Sequence, residues 1–219
     1  MLHLQLTNKR FDQTLLQNID LQLEPGTLNV MVGPSGCGKS TILNIIAGLD
    51  KSFEGRITGL NREEIRLAYM FQEPRLLPWR TIRQNLELIS SDLPRIDQLL
   101  KAVDLYSVSH KYPGQISLGM ARRIALLRCF LHDPDLILMD EPLVSLDREA
   151  AATIKDQLRL MRKLRPELTI LYVTHDLEEA SVLADRLFIL GGAPTTLIQE
   201  SAALSRQQLD QLLSETVTT

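Results

Sequence analysis

Residues Gly33-Pro34-Ser35-Gly36-Cys37-Gly38-Lys39-Ser40 form the segment from which the architecture can be read. They match G-x-x-x-x-G-K-[ST], a loop whose backbone wraps a phosphate. Glycines let the chain turn inward, so that several N–H groups point at one anion. The helix that opens at Thr41 adds the positive end of its dipole. Lys39 is placed to reach the β- and γ-phosphates of ATP as a point charge, and Ser40 to offer its hydroxyl to Mg²⁺. The flanks fit this reading. The apolar run Leu28-Asn-Val-Met-Val precedes the loop, and Thr41-Ile-Leu-Asn-Ile-Ile-Ala-Gly follows it. A chance glycine-rich turn would lack that strand and helix.

A second acidic element lies about a hundred residues on. Residues 136–141 read Leu-Ile-Leu-Met-Asp-Glu. Four apolar residues ending in two acids predict a buried strand that delivers carboxylates to the C-terminal edge of a sheet, where open α/β sheets bind ligands. Asp140 is placed to hold Mg²⁺ and Glu141 to polarise an attacking water. A bare Glu-Pro turn is the competing reading, and the phosphate loop weighs against it.

Around these two motifs, strand signals fall at residues 2–6, 28–32, 136–139, 169–173 and 186–190. The last three are short, nearly continuous apolar runs, as expected of buried parallel strands. Ile154, Leu158 and Met161 recur at helical spacing between them. The expected fold class is therefore α/β, a P-loop NTPase core with a parallel sheet joined by right-handed crossovers. Residues 78–130 read differently. No strand is convincing there, and helices are expected over 82–89, 96–103 and 119–130, broken by Pro94, Pro113 and Gly114. The expectation is one domain over 1–219: a nucleotide-binding core of 1–77 and 131–219, with 78–130 as an inserted helical subdomain. The stretch after Gly191-Gly192 reads as a short polar tail.

Composition narrows the function. The chain has 219 residues, a formal net charge of −3 and 5% aromatics. Nothing there suggests a broadly basic surface or a base-stacking platform, so a nucleic-acid partner is not expected. Cys37 and Cys129 make no disulfide framework and suit a reducing compartment. Cys129 reads as a core position on an apolar helix. The start alternates apolar and polar residues rather than resembling a signal peptide. No run approaches the roughly 18 apolar residues that would span a bilayer. The expectation is a soluble chain that would reach a membrane only through a partner.

Further segments resemble one family over nearly the whole chain, the ATPases of ABC transporters. Gln72, in Tyr-Met-Phe-Gln-Glu-Pro, resembles the family's Q-loop glutamine, which contacts Mg²⁺ and the attacking water. Ser145-Leu146-Asp147 resembles the D-loop. His175, in Tyr-Val-Thr-His-Asp, resembles the switch histidine at the γ-phosphate. Phe11 lies where the family often stacks an aromatic on adenine, and a core phenylalanine is the other reading. Ile116-Ser117-Leu118-Gly119-Met120 resembles the signature, in which Ser117 and Gly119 would face ATP bound by the other protomer. Leu118 departs from the family's glycine. If the backbone there needs positive φ, leucine resists it, and Leu118→Gly would raise activity.

The stretch Glu73-Pro-Arg-Leu-Leu-Pro-Trp-Arg-Thr-Ile is similar to importers of nitrate, sulfonate or taurine type. The resemblance implies an ATPase that binds ATP and Mg²⁺ and pairs with a second copy of itself or a homologous subunit. It would couple hydrolysis to transport, import of a small solute, through a separate permease. That permease would dock near residues 72–79, and a solute-binding protein would act through it. This puts the chain peripherally on the cytoplasmic face of the membrane. Trp79 reads either as the docking anchor or as subdomain core. The alternatives are an exporter or lipid-handling ATPase, and a soluble ABC ATPase outside transport.

Overall fold

β3 (Leu28–Val32) runs through the centre of the protein, and all five of its residues are buried. The computed structural model describes residues 2–59, 65–202 and 208. In chain order the elements are β1 (Leu2–Arg10), β2 (Thr14–Leu23), β3, α1 (Lys39–Ala47), β4 (Glu54–Thr58) and β5 (Leu67–Met70). Three helices follow: α2 (Ile82–Glu87), α3 (Leu93–Ala102) and α4 (Leu118–Leu131). The chain continues through β6 (Leu136–Asp140), α5 (Arg148–Leu164), β7 (Thr169–Thr174), α6 (Leu177–Leu183), β8 (Arg186–Gly191) and β9 (Thr196–Ala202).

Two sheets result. The larger runs β5-β6-β7-β3-β8-β9. Its first five strands are parallel, and β9 closes it antiparallel to β8. The smaller is antiparallel, in the order β2-β1-β4. The strand signal at the start of the sequence thus belongs to a different sheet from the others. Period-2 alternation marks a half-buried strand without saying which sheet it joins. β9 is a further departure from the sequence reading, because the stretch after Gly191-Gly192 forms an edge strand over residues 196–202 rather than a tail. The end of that stretch, Thr216 to Thr219, lies outside the described residues.

The pleat divides β3 between two apolar clusters. Leu28, Val30 and Val32 join Ile137, Met139, Ile170 and Tyr172 on one face. Met31 joins Leu138, Leu171, Val173 and Phe188 on the other. The first face carries Ile82 and Leu86 of α2, Ile96 and Leu100 of α3, Ile124 and Leu127 of α4 and Ile154 of α5. The second carries Ile42, Leu43 and Ile46 of α1 and the inner face of the small sheet. Burying this much apolar side-chain area, at about 25 cal/mol per Å², is what holds the layers together.

Residues 78–130 contribute helices and no strand among those described. α2 ends at Glu87, short of the expected 89, after a Thr81 capping box with Gln84. Pro94 does not break α3. It sits in the first turn, where a missing N–H costs nothing. α4 starts at Leu118 with Ser117 as its cap, the Ser117 hydroxyl accepting from Met120 N–H. Leu118 and Gly119 are absent from the positive-φ residues. The condition of a positive φ is thus not met, and Leu118 occupies an ordinary first helical position. Cys129 is buried in α4, as expected, and burial pushes its thiol up to about 12.

Candidate nucleotide site

The loop between β3 and α1 has the geometry its glycines imply. Gly36 and Gly38 have φ of 80° and 101°. A Cβ on Gly33 would meet the Leu190 carbonyl oxygen at 2.8 Å, and one on Gly38 would meet Leu16 Cδ2 at 2.6 Å. The loop is thus pressed against β8 and against the start of β2. Lys39 is buried, and its ammonium donates to the Gly33 and Pro34 carbonyls at 2.8 and 2.9 Å. The lysine pins the loop that a phosphate would occupy. Ser35, Gly36 and Cys37 form the turn, and Cys37 N–H donates to the Pro34 carbonyl at 3.3 Å. Thr41 lies in the first turn of α1.

β6 ends beside this loop. Ser40 Oγ donates to Asp140 Oδ1 at 2.9 Å. Burial pushes the Asp140 carboxyl above its ordinary value, while the Ser40 bond pulls the other way. Ser40, Asp140 and Gln72 line one cavity of about 370 Å³ with Asn44, Tyr69 and Arg75. A hydroxyl, a carboxylate and an amide oxygen are hard donors that suit Mg²⁺. No group of three or more His, Cys, Asp or Glu side chains among the described residues could hold a metal. Mg²⁺ would accordingly need phosphate oxygens to complete its shell, as this ion usually does.

Glu141 follows at φ 44°, left-handed for a residue with a long side chain. Its N–H donates to the Val173 carbonyl at 3.0 Å. Its Oε2 lies 3.0 Å from His175 Nδ1. His175 follows β7, whose pairing with β6 sets the two side by side. Glu141, His175, Ser145 and Leu146 line a second cavity, of about 630 Å³. Asp147 caps α5, its carboxylate accepting from Ala150 N–H at 2.8 Å.

Lys39, Ser40, Gln72, Asp140, Glu141 and His175 therefore gather along the C-terminal edge of β5, β6, β7 and β3. Ser117 and Gly119 do not line either cavity. They sit at the start of α4, where a Cβ on Gly119 would lie 3.1 Å from Ala150 Cβ. Phe11 is 63% exposed, so it is no core residue. Its ring lies over the ammonium of buried Lys9, 4.5 Å from the centroid. Lys9 itself is held by Asp50 and the Ser52 carbonyl, both at 2.7 Å.

Three residues escaped the sequence reading. Arg75 stacks on Phe71 at 3.7 Å, and Phe71 on Tyr69 at 4.0 Å, walling the cavity that holds Ser40 and Asp140. Asn85 is fully buried in α2 and binds the Leu77 N–H and the Leu77, Arg80 and Thr81 carbonyls. It fixes the loop that presents Trp79, which is 70% exposed and so not subdomain core. A polar residue at an apolar helical position was the available signal for Asn85. The third, Arg122, reaches from α4 to the backbone at Glu141 and Pro142.

Known proteins that resemble this chain fall in one family. Residues 16–144 match the family model described as ABC transporter. The aliphatic sulfonates import ATP-binding protein SsuB 1 of Pseudomonas savastanoi pv. phaseolicola is 37% identical over 204 residues, covering 91% of this chain and 84% of its own. SsuB of Bacillus subtilis is 38% identical over 194 residues, covering 83% and 74%. A dimeric ATP-binding cassette solved in a post-hydrolysis state with ADP and Pi superimposes with a TM-score of 0.78 at 28% identity. It covers 94% of this chain and 100% of that one. The phosphate loop, the acid pair that ends β6 and these likenesses together make the chain a member of the ABC transporter family, an ATP-binding and ATP-hydrolysing subunit with an α/β P-loop fold.

Proposed function

We propose that the chain drives import of a small organic anion of the aliphatic sulfonate class, hydrolysing ATP in a dimer beneath a separate permease. The names of relatives 37% and 38% identical support the direction and the substrate class. The dimeric cassette structures support the pairing. No helix of the described residues is long and apolar enough to cross a membrane, so passage needs a partner. The subunit would sit on the cytoplasmic face, with a solute-binding protein delivering cargo to the permease. The permease would meet the loop of residues 72–79, where exposed Trp79 on an Asn85-braced turn offers an aromatic anchor. In this reading 78–130 is a helical subdomain carrying the signature, set against a core of 1–77 and 131–219.

The observation that carries the catalytic reading is the meeting of two pairs at one sheet edge, Ser40 with Asp140 at 2.9 Å and Glu141 with His175 at 3.0 Å. The loop from Gly33 to Thr41 cradles the phosphates and Lys39 neutralises the β- and γ-oxygens. Ser40, Gln72 and Asp140 would hold Mg²⁺, which would supply neutralisation of phosphate charge. Glu141 orients the attacking water and draws on its proton, while His175 holds the Glu141 carboxylate and faces the γ-phosphate. Ser117 and the α4 N-terminus of one protomer, with Asp147, close the site of the other. Phe11 stacks on the base.

Glu141→Gln tests this. Turnover of the assembled transporter is expected to fall by on the order of a hundredfold or more, since one positioned acid–base group is worth about 10²–10⁴. ATP affinity by calorimetry should stay near wild type, and sizing in ATP should reveal a persistent dimer. Near-normal turnover would refute the assignment of Glu141.

A further inference from the structure

Arg122 lies in α4, one turn beyond Leu118, and is 4% exposed. Its Nη1 donates to the Glu141 carbonyl at 3.1 Å and to the Pro142 carbonyl at 2.5 Å. Both carbonyls lie at the turn where β6 ends, and a charged donor makes such bonds short and directional. Burial opposes the charge of the guanidinium, with Tyr172 and Glu179 acting the other way. An apolar side chain of similar length would fill the same space without that penalty. What the arginine adds is its grip on the backbone.

The held backbone is the strained one. Glu141 has φ 44°, a conformation that persists in a non-glycine residue only where its surroundings over-determine it. Three other constraints act on it: the Glu141 N–H on the Val173 carbonyl, the Glu141 carboxylate on His175, and the Val144 N–H on the Glu141 carbonyl at 3.2 Å. The last is a bond within the turn itself and ties it to no other element. Arg122 ties the Glu141 and Pro142 carbonyls to the helix whose first turn carries Ser117 and Gly119.

We infer that Arg122 is a positioning residue for hydrolysis: it holds the Glu141 peptide in its left-handed conformation and so aims the Glu141 carboxylate. The inference rests on the reading of Glu141 as the group that orients water. Arg122 lines neither of the two cavities of the site. Its loss lets the turn relax to an ordinary φ and swings the carboxylate away from His175, while the phosphate loop stays as it is. A displacement of about 1 Å at a reacting group can cost on the order of a hundredfold in rate.

The experiment uses the assembled transporter with Arg122→Met, which keeps apolar length and removes the donors. kcat is expected to fall at least about tenfold, with the KM for ATP and the calorimetric ATP affinity of the subunit within about twofold. Arg122→Lys, which restores one cationic donor, should recover part of kcat. In single-turnover hydrolysis followed over hours, adding Arg122→Met to Glu141→Gln should cost little more than Glu141→Gln alone, because the arginine acts through that residue. Should the methionine variant not fold, Arg122→Gln, with a neutral and shorter donor, takes its place with the same expectations. A folded Arg122→Met with normal kcat would overturn the inference. So would a loss of the same factor on the Glu141→Gln background, or a loss of ATP affinity matching that in kcat. If Glu141→Gln itself turns over normally, the assignment of Glu141 fails first. If only the Arg122 variants are normal, that assignment stands and the positioning role falls.

Discussion

Asp133 illustrates how single side chains tie the helical stretch to the sheet. Its two oxygens accept from Arg95 of α3 at 2.7 and 2.6 Å, and Arg165, just after α5, lies 3.6 Å away. The Arg95 bond holds the Asp133 carboxyl below the usual range, although burial pulls upward. In the unfolded chain an aspartate titrates near about 3.9. As pH falls the unfolded chain therefore takes the proton first. The contribution of the bridge, complete above that value, is lost as pH falls through the lower folded value. Asp133→Asn should flatten the dependence of unfolding free energy on pH below about 4. Chemical denaturation at several pH values would measure it, and an unchanged slope would count against the bridge. Residues whose role sits in a short local pattern were legible without a structure. Lys39 and Ser40 are fixed by the glycine loop, and Asp140 and Glu141 by the apolar run before them. Arg122 and Asn85 were not, because each acts on backbone carbonyls whose positions only the folded chain defines. Arg75 was hidden likewise, its partner Phe71 lying just past a strand too short to read.

Among the elements, α4 spans Leu118–Leu131, one residue more at each end than expected. Its first residue, Leu118, is 44% exposed, with an ordinary helical backbone. Glycine would therefore relieve nothing there and would weaken the helix by up to about 1 kcal/mol. Leu118→Gly is expected to bring no gain in turnover and a melting point lower by about 2–4 °C. A clear rise in turnover within the assembled transporter would mean that the side chain itself obstructs the approach of the partner. The strands divide by chemistry. β3, β6, β7 and β8 were legible because strands buried on both faces read as apolar runs. β2 hides in polar residues, with Asn18 at φ 50° interrupting its alternation. β4 is largely exposed, and β5 has four residues. β9 follows a glycine pair that reads as the end of order.

At the scale of the whole molecule, the two sheets meet where the phosphate loop lies. Gln17 N–H donates to the Thr195 carbonyl and Thr195 N–H to the Leu15 carbonyl, both at 2.9 Å, joining β2 to the edge beyond β8. The α/β character followed from the loop and the buried runs. The small antiparallel sheet did not, since one amphipathic strand fits either arrangement. A nucleotide with its phosphates between β3 and α1 and its base on Phe11 would strap the large sheet to the small one. At the small-sheet end it would meet a phenyl ring that lies over the Lys9 ammonium. A ring face grips any base, because every base has a π-face, and it reads no hydrogen-bonding edge. The subunit should accordingly be a poor judge of purines. GTP is expected to support turnover within about tenfold of ATP, the stacking energy being similar and no edge being read. Competition between the two nucleotides in the ATPase assay measures this, and a preference for ATP of about a hundredfold or more would show that polar groups, not Phe11, select the base.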